Sequence, residues 1–118
     1  MPATNYANLI DQSISLTASG AVIKERFIEA SGAQCGLGEK SLGVSAYAAA
    51  TTEDVTAYTG VIRILAGGTI AQSAYVMSDA NGKAITYAAG GSGTDYKKNG
   101  IAVSAGTDGN IMLVYTSI

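Results

Sequence analysis

Phe27-Ile28-Glu29-Ala30-Ser31-Gly32 has an echo in Tyr75-Val76-Met77-Ser78-Asp79-Ala80-Asn81-Gly82. Leu42-Gly43-Val44-Ser45-Ala46 returns as Gly100-Ile101-Ala102-Val103-Ser104-Ala105, and Asp54-Val55-Thr56-Ala57-Tyr58-Thr59 returns loosely as Asn110-Ile111-Met112-Leu113-Val114-Tyr115-Thr116. The order of elements is the same in both passes. The separation between copies grows from 48 (Phe27 to Tyr75) to 57 (Tyr58 to Tyr115), so the second copy is about nine residues longer. The extra length falls at the polar stretch Gly90–Lys98, which reads as a surface loop. Two passes through one β-unit, with no histidine anywhere in the chain, predict a scaffold that binds rather than a site that reacts.

Outward from the repeat, short strands alternate with turn signals. Ser13-Ile14-Ser15-Leu16-Thr17 alternates strictly, which turns Ile14 and Leu16 inward and the hydroxyls outward. Val22 to Ala30 reads as a strand with charge on both faces, which places its middle at an edge or in solvent. Gly60 reads as the end of the Val55–Tyr58 strand. Val61-Ile62-Arg63-Ile64-Leu65 then has bulky groups on both faces, as expected of a strand covered on one side by core and on the other by a partner. Arg63 shares a face with Val61 and Leu65. Its stem can pack while its head reaches water, or it can form an ion pair between subunits. Asp79-Ala80-Asn81-Gly82 is a hairpin turn, because Asn and Gly accept positive φ. The expectation is an all-β fold, a small β-sandwich or barrel built from an internally duplicated unit over residues 13–118. In residues 1–12, Tyr6, Leu9 and Ile10 fall at i, i+3 and i+4, which fits one helical turn; an extended N-terminal arm, in which the three supply apolar anchors for another chain, fits equally well and is the expectation carried forward.

Composition narrows the function. Of 118 residues only 14% are charged, against about 25% in an ordinary soluble domain, which suits a surface partly covered by a partner. The net charge is −2 and Lys97-Lys98 is the one adjacent basic pair, so a counterion-releasing nucleic-acid surface is not expected. No window approaches the ~18 apolar residues of a membrane helix. The N-terminal stretch lacks the pattern of a secretion signal, so the expectation is a soluble protein used without export. Cys35, the one cysteine, reads as a small apolar filler.

Chemistry finds few footholds. Without histidine, Ser-His-Asp and Cys-His arrangements are excluded, as is the commonest zinc ligand. Glu53 and Asp54 are adjacent and point to opposite faces of a strand. Glu25 and Glu29, four residues apart in a strand, lie about 13 Å apart, beyond the roughly 5–9.5 Å of glycosidase pairs. Gly36-Leu37-Gly38-Glu39-Lys40-Ser41 misses the phosphate-loop spacing by the intervening Glu39. Asp79-Ala80-Asn81-Gly82 lacks the later ligands of a calcium loop. No catalytic residue, metal or cofactor is expected. What stands out is tyrosine: seven Tyr against one Phe and no Trp. Tyr joins apolar area to a hydrogen-bonding tip, which suits interfaces, and Tyr6, Tyr47, Tyr87 and Tyr96 lie in or beside expected connections.

The succession of Val44, Asp54-Val55, Gly60-Val61-Ile62-Arg63-Ile64-Leu65-Ala66-Gly67-Gly68-Thr69-Ile70, Tyr75-Val76-Met77-Ser78-Asp79-Ala80-Asn81-Gly82-Lys83-Ala84 and Gly100-Ile101-Ala102 resembles the capsid decoration, or cement, proteins of tailed bacteriophages. The chain departs from that pattern in the Gly90–Lys98 insertion and at Thr52-Glu53, where the family commonly has a Gly before its Asp. The resemblance implies a non-enzymatic protein of the virion, on the outer surface of the assembled head, often trimeric, that clamps neighbouring major capsid proteins. Candidate capsid or subunit contacts are then Tyr6, Leu9, Ile10, Val61, Arg63 and Leu65. Two other classes share the binding character. A tail-tube or head-fibre base protein is one; a carbohydrate-binding module is the other, and the absence of Trp argues against it.

Overall fold

The computed structural model describes residues 7–116. Among them there is no helix, and eight strands follow in order: β1 (Leu9–Thr17), β2 (Phe27–Ile28), β3 (Gly43–Ser45), β4 (Asp54–Leu65), β5 (Tyr75–Ser78), β6 (Ala84–Thr86), β7 (Gly100–Ala102) and β8 (Ile111–Tyr115). Every ladder between them is antiparallel. The strands form one sheet in the order β2-β3-β4-β8-β7-β5-β6, with β1 attached to the free side of β4. The fold is all-β as expected, but its sheet does not close into a barrel.

The repeat read in the sequence is written into the hydrogen bonds. Val22 and Ala49 form an isolated bridge, as do Ile70 and Gly106. A shift of 48 carries Val22 onto Ile70, and a shift of 57 carries Ala49 onto Gly106. The same two shifts carry Phe27↔Val44 onto Tyr75↔Ile101, and Leu16↔Val55 onto Ile64↔Met112. Each unit therefore pairs its first strand with its last. In the first unit these are β1 and the N-terminal half of β4; in the second they are the C-terminal half of β4 and β8. β4 is thus the last strand of one unit and the first of the next.

This is why the run does not stop at Gly60. Instead β4 passes through it at φ 121°, a region open to glycine but not to side chains, and β1 bulges opposite between Ile10 and Gln12. A Cβ at Gly60 would lie 2.3 Å from the Leu9 carbonyl oxygen. On either side of Gly60, β4 buries opposite faces. Val55 and Ala57 enter a small core with Ala18, Val22, Ile28 and Ala49. Ile62 and Ile64 enter the larger one, with Phe27, Val44, Val76, Met112 and Val114. Each half of a long strand can be amphipathic on its own, and the glycine lets the twist change between them.

Two further expectations are corrected. The segment Val22–Ala30 is not one strand: Glu25 sits at φ 61° and only Phe27 and Ile28 are paired as β2. β2 does lie at an edge of the sheet, as expected, but not in solvent, since Phe27 and Ile28 are fully buried. The charges that suggested solvent belong to residues that bend around a buried dipeptide. β1 begins at Leu9 rather than Ser13, so Leu9, Ile10 and Gln12 are paired to Val61, Gly60 and Thr59, with Asp11 in the bulge. Along its second half the expected alternation holds, with Ile14 and Leu16 half-buried and Ser13, Ser15 and Thr17 exposed.

Candidate interaction surface

The second unit leaves one face of its strands largely bare. Directly opposed residues in an antiparallel sheet share a face. The pairings Leu9↔Val61, Val61↔Tyr115, Ile101↔Tyr115 and Tyr75↔Ile101 therefore line five apolar side chains into one row across β1, β4, β8, β7 and β5. Leu9 is 70% exposed, Tyr75 45% and Tyr115 41%; Val61 and Ile101 are half-buried by their neighbours. Beside this row on the same face lie Arg63 and Leu113, then Leu65 and Ile111, all half-buried.

The two ends of the row differ. At the Leu9 end, a groove of about 460 Å³ is lined by Asn8, Leu9, Ile10, Asp11, Gly60, Val61 and Tyr115. The Asn8 side-chain oxygen accepts a hydrogen bond from the Arg63 amide at 2.8 Å, which ties the start of the described chain to the exposed side of β4. At the Tyr75 end, the Lys98 ammonium lies 4.3 Å from the centre of the Tyr75 ring and 5.2 Å from that of Tyr87. Two ring faces hold the cation by their quadrupoles. The Gly90–Lys98 insertion thus returns a positive charge to the sheet.

Of the residues singled out from the sequence, Leu9, Ile10 and Val61 come together in the groove, and Arg63 and Leu65 lie further along the same face. Tyr6 falls outside the described residues. The ion pair of Arg63 is made within the chain, to Glu25 at 3.1 Å. Sequence reasoning missed Tyr75, Ile101, Tyr115 and Lys98. Register is what unites them, and the signal was present in the repeat: Tyr115 is the counterpart of Tyr58, and Tyr75 of Phe27.

A second cleft, of about 550 Å³, opens between Glu29, Leu37–Lys40 and Gly93–Lys97. Here the Glu29 and Glu39 carboxyls meet, a pair that spacing along one strand could not reveal. Hydrogen bonding to Glu39, helped by burial and by its charge, raises the Glu29 pKa. The same hydrogen bond, with one from the Gly36 amide, lowers that of Glu39. Among the described residues no three acidic, cysteine or histidine groups are placed to hold a metal ion. Cys35 is buried as expected. Burial foremost, then the Glu29 and Glu39 charges, pushes its thiol up to about 12, far from a reactive thiolate.

No curated protein matches the sequence. The fold matches the crystal structure of the N base of head fibre gp8.5 in bacteriophage phi29, with a TM-score of 0.68 at 15% identity, over 90% of this chain and 93% of that one. At that identity the likeness speaks for the fold alone. The family model described as phage cement protein matches residues 10–115. That match takes in every strand described above save the first residue of β1, and the chain belongs to the phage cement protein family.

Proposed function

We propose that the protein decorates the outer surface of an assembled phage head and clamps neighbouring major capsid proteins, as a trimer seated on the lattice. The family match over residues 10–115 carries this reading. The physical character of the surface supports it: an apolar row that includes the exposed Leu9, Tyr115 and Tyr75 suits burial against protein. The start of the chain, with Tyr6, Leu9 and Ile10 as anchors, contacts a neighbour, and β1, paired among the described residues only to β4, offers its free edge for backbone pairing. Val61, Arg63 and Leu65 extend the contact. Repetition over a symmetric lattice multiplies modest contacts into a firm hold. Such a role asks no catalysis of the chain.

The test is sedimentation with purified heads. Wild-type protein is expected to pellet with expanded, empty heads and to raise their resistance to heat. Deletion of residues 2–10 is expected to abolish pelleting; unchanged pelleting would remove the arm from the mechanism. The fold shared with a fibre base keeps a second reading, in which the same surface seats another virion component. In that case the protein binds heads without stabilising them.

A further inference from the structure

The apolar row has a direction. Its Leu9 end carries Asp11, exposed, lining the groove with Leu9, Ile10, Val61 and Tyr115. Its other end carries Lys98, exposed, on the rings of Tyr75 and Tyr87. Neither charge has an ion-pair partner among the described residues. A groove carrying Asp11 at one end and a tyrosine corner topped by a cation at the other are complementary in sign. They cannot meet within one molecule. Four strand-to-strand steps separate Leu9 from Tyr75, which is about 19 Å.

We propose that the Tyr75–Tyr87–Lys98 corner of one copy enters the Leu9–Asp11–Tyr115 groove of a second copy. Lys98 then faces the Asp11-bearing groove of the second copy. This deepens the homo-oligomer reading above, and rests on it, by naming the two surfaces that meet. Asp11 in the groove and Lys98 on the corner make a head-to-tail approach attractive, whereas a groove-to-groove approach sets Asp11 against its own copy. Joining unlike surfaces head to tail closes into a ring when the rotation between copies allows, which is the geometry a symmetric clamp requires.

The test uses disulfide trapping and charge reversal in the full chain. Leu9→Cys with Tyr75→Cys places the two thiols too far apart for a bond within one molecule, since a disulfide needs Cα atoms within about 7 Å. Native Cys35 is buried and does not compete. Mild oxidation, both in solution and on decorated heads, is expected to give a covalent ladder of copies. Leu9→Cys with Tyr47→Cys, whose tyrosine is exposed and hydrogen-bonds Thr56 in the first unit, is expected to give none. Asp11→Lys and Lys98→Glu are each expected to weaken self-association about tenfold, and the double exchange to restore it. No ladder in either setting, or equal ladders from both pairs, would overturn the proposal, as would single reversals that leave self-association unchanged. Pelleting with heads is scored separately for each variant. Variants that pellet without trapping defeat this interface and leave decoration standing. Wild type that traps in solution but never pellets defeats decoration and leaves the interface.

Discussion

The two units are built on the same pairings, yet corresponding rows have opposite fates. Ser13–Tyr58–Val44–Phe27 crosses the first unit as Val61–Tyr115–Ile101–Tyr75 crosses the second. In the first, Phe27 and Val44 are fully buried in the core shared with Ile62, Ile64 and Met112. In the second, Tyr75 and Tyr115 stand in the open. The flanking positions diverge too: Ser15, Thr17, Asp54 and Thr56 correspond to Arg63, Leu65, Ile111 and Leu113. Duplication supplied one frame twice. The first copy spends its row on joining the units, and the second keeps its row for something outside the chain.

The strongest test of that contrast removes the ring at matched positions. Phe27→Ala is expected to destabilise the fold by about 3–5 kcal/mol in urea unfolding, the usual loss for a buried Phe. Tyr75→Ala is expected to change it by no more than about 1 kcal/mol, the worth of an exposed cation–π contact. Its effect is expected in self-association instead. Equal losses at both sites would mean that Tyr75 supports its own unit as Phe27 does, and the contrast would collapse.

The next test asks whether the shared frame is shared in energy. Gly43 and Gly100 occupy matched positions, and a Cβ at either would lie 2.5 Å from a backbone oxygen, of Tyr58 and Tyr115 respectively. Both Gly43→Ala and Gly100→Ala are expected to destabilise by about 1–3 kcal/mol through forced separation of strands. A large difference between them in thermal or urea unfolding would show that one unit yields where the other does not.

Much of this was legible in the sequence. The repeat, its order and its strands could be read because Gly and alternation mark strands locally. Gly43 and Gly100 sit at matched points for a reason the spacing already hinted at. Two things were hidden. Whether Gly60 ends a strand or lets it twist depends on the bulge of β1 fifty residues earlier. Which residues form the exposed row depends on register among five strands, a long-range property that no local window contains. The Glu29–Glu39 contact was hidden for the same reason, since a turn returns Glu39 to Glu29 across ten residues of chain.

A smaller effect tests an asymmetry at the turns. Thr52 holds φ 75° where its counterpart Gly109 holds 85°. Their amides bond equivalent carbonyls, of Ala18 and Ala66, at 2.8 and 2.9 Å. A β-branched residue in this left-handed region is strained by roughly 1–2 kcal/mol, part of which glycine loses again in unfolded-state entropy. Thr52→Gly is therefore expected to stabilise by about 1 kcal/mol, read as a higher urea midpoint at unchanged slope. A loss of stability would mean the threonine has a positive role there.

The smallest expected effect is in pH. Glu29 and Asp79 open corresponding turns but are satisfied differently. Asp79 accepts hydrogen bonds from the Asn81 and Lys83 amides at 2.8 and 2.9 Å, whereas Glu29 meets the Glu39 carboxyl, and the hydrogen bond between them raises its pKa. Because the folded pKa of Glu29 is raised, the folded state holds its proton more tightly than the unfolded chain. Its contribution is present in acid and is lost as pH rises through the raised value. The lowered pKa of Glu39 works in the opposite sense, contributing above the ordinary glutamate value and fading as pH falls through its own. The two slopes oppose one another, so the wild-type stability profile is expected to be shallow here. Glu39→Gln removes the charge and the hydrogen bond between the two carboxyls together, which lets Glu29 fall toward its ordinary value, seen directly as an earlier titration of its carboxyl carbon by NMR. An unmoved Glu29 titration would mean that burial, rather than the neighbouring carboxyl, holds its proton, and the difference between the two turns would then be one of solvent rather than of pairing.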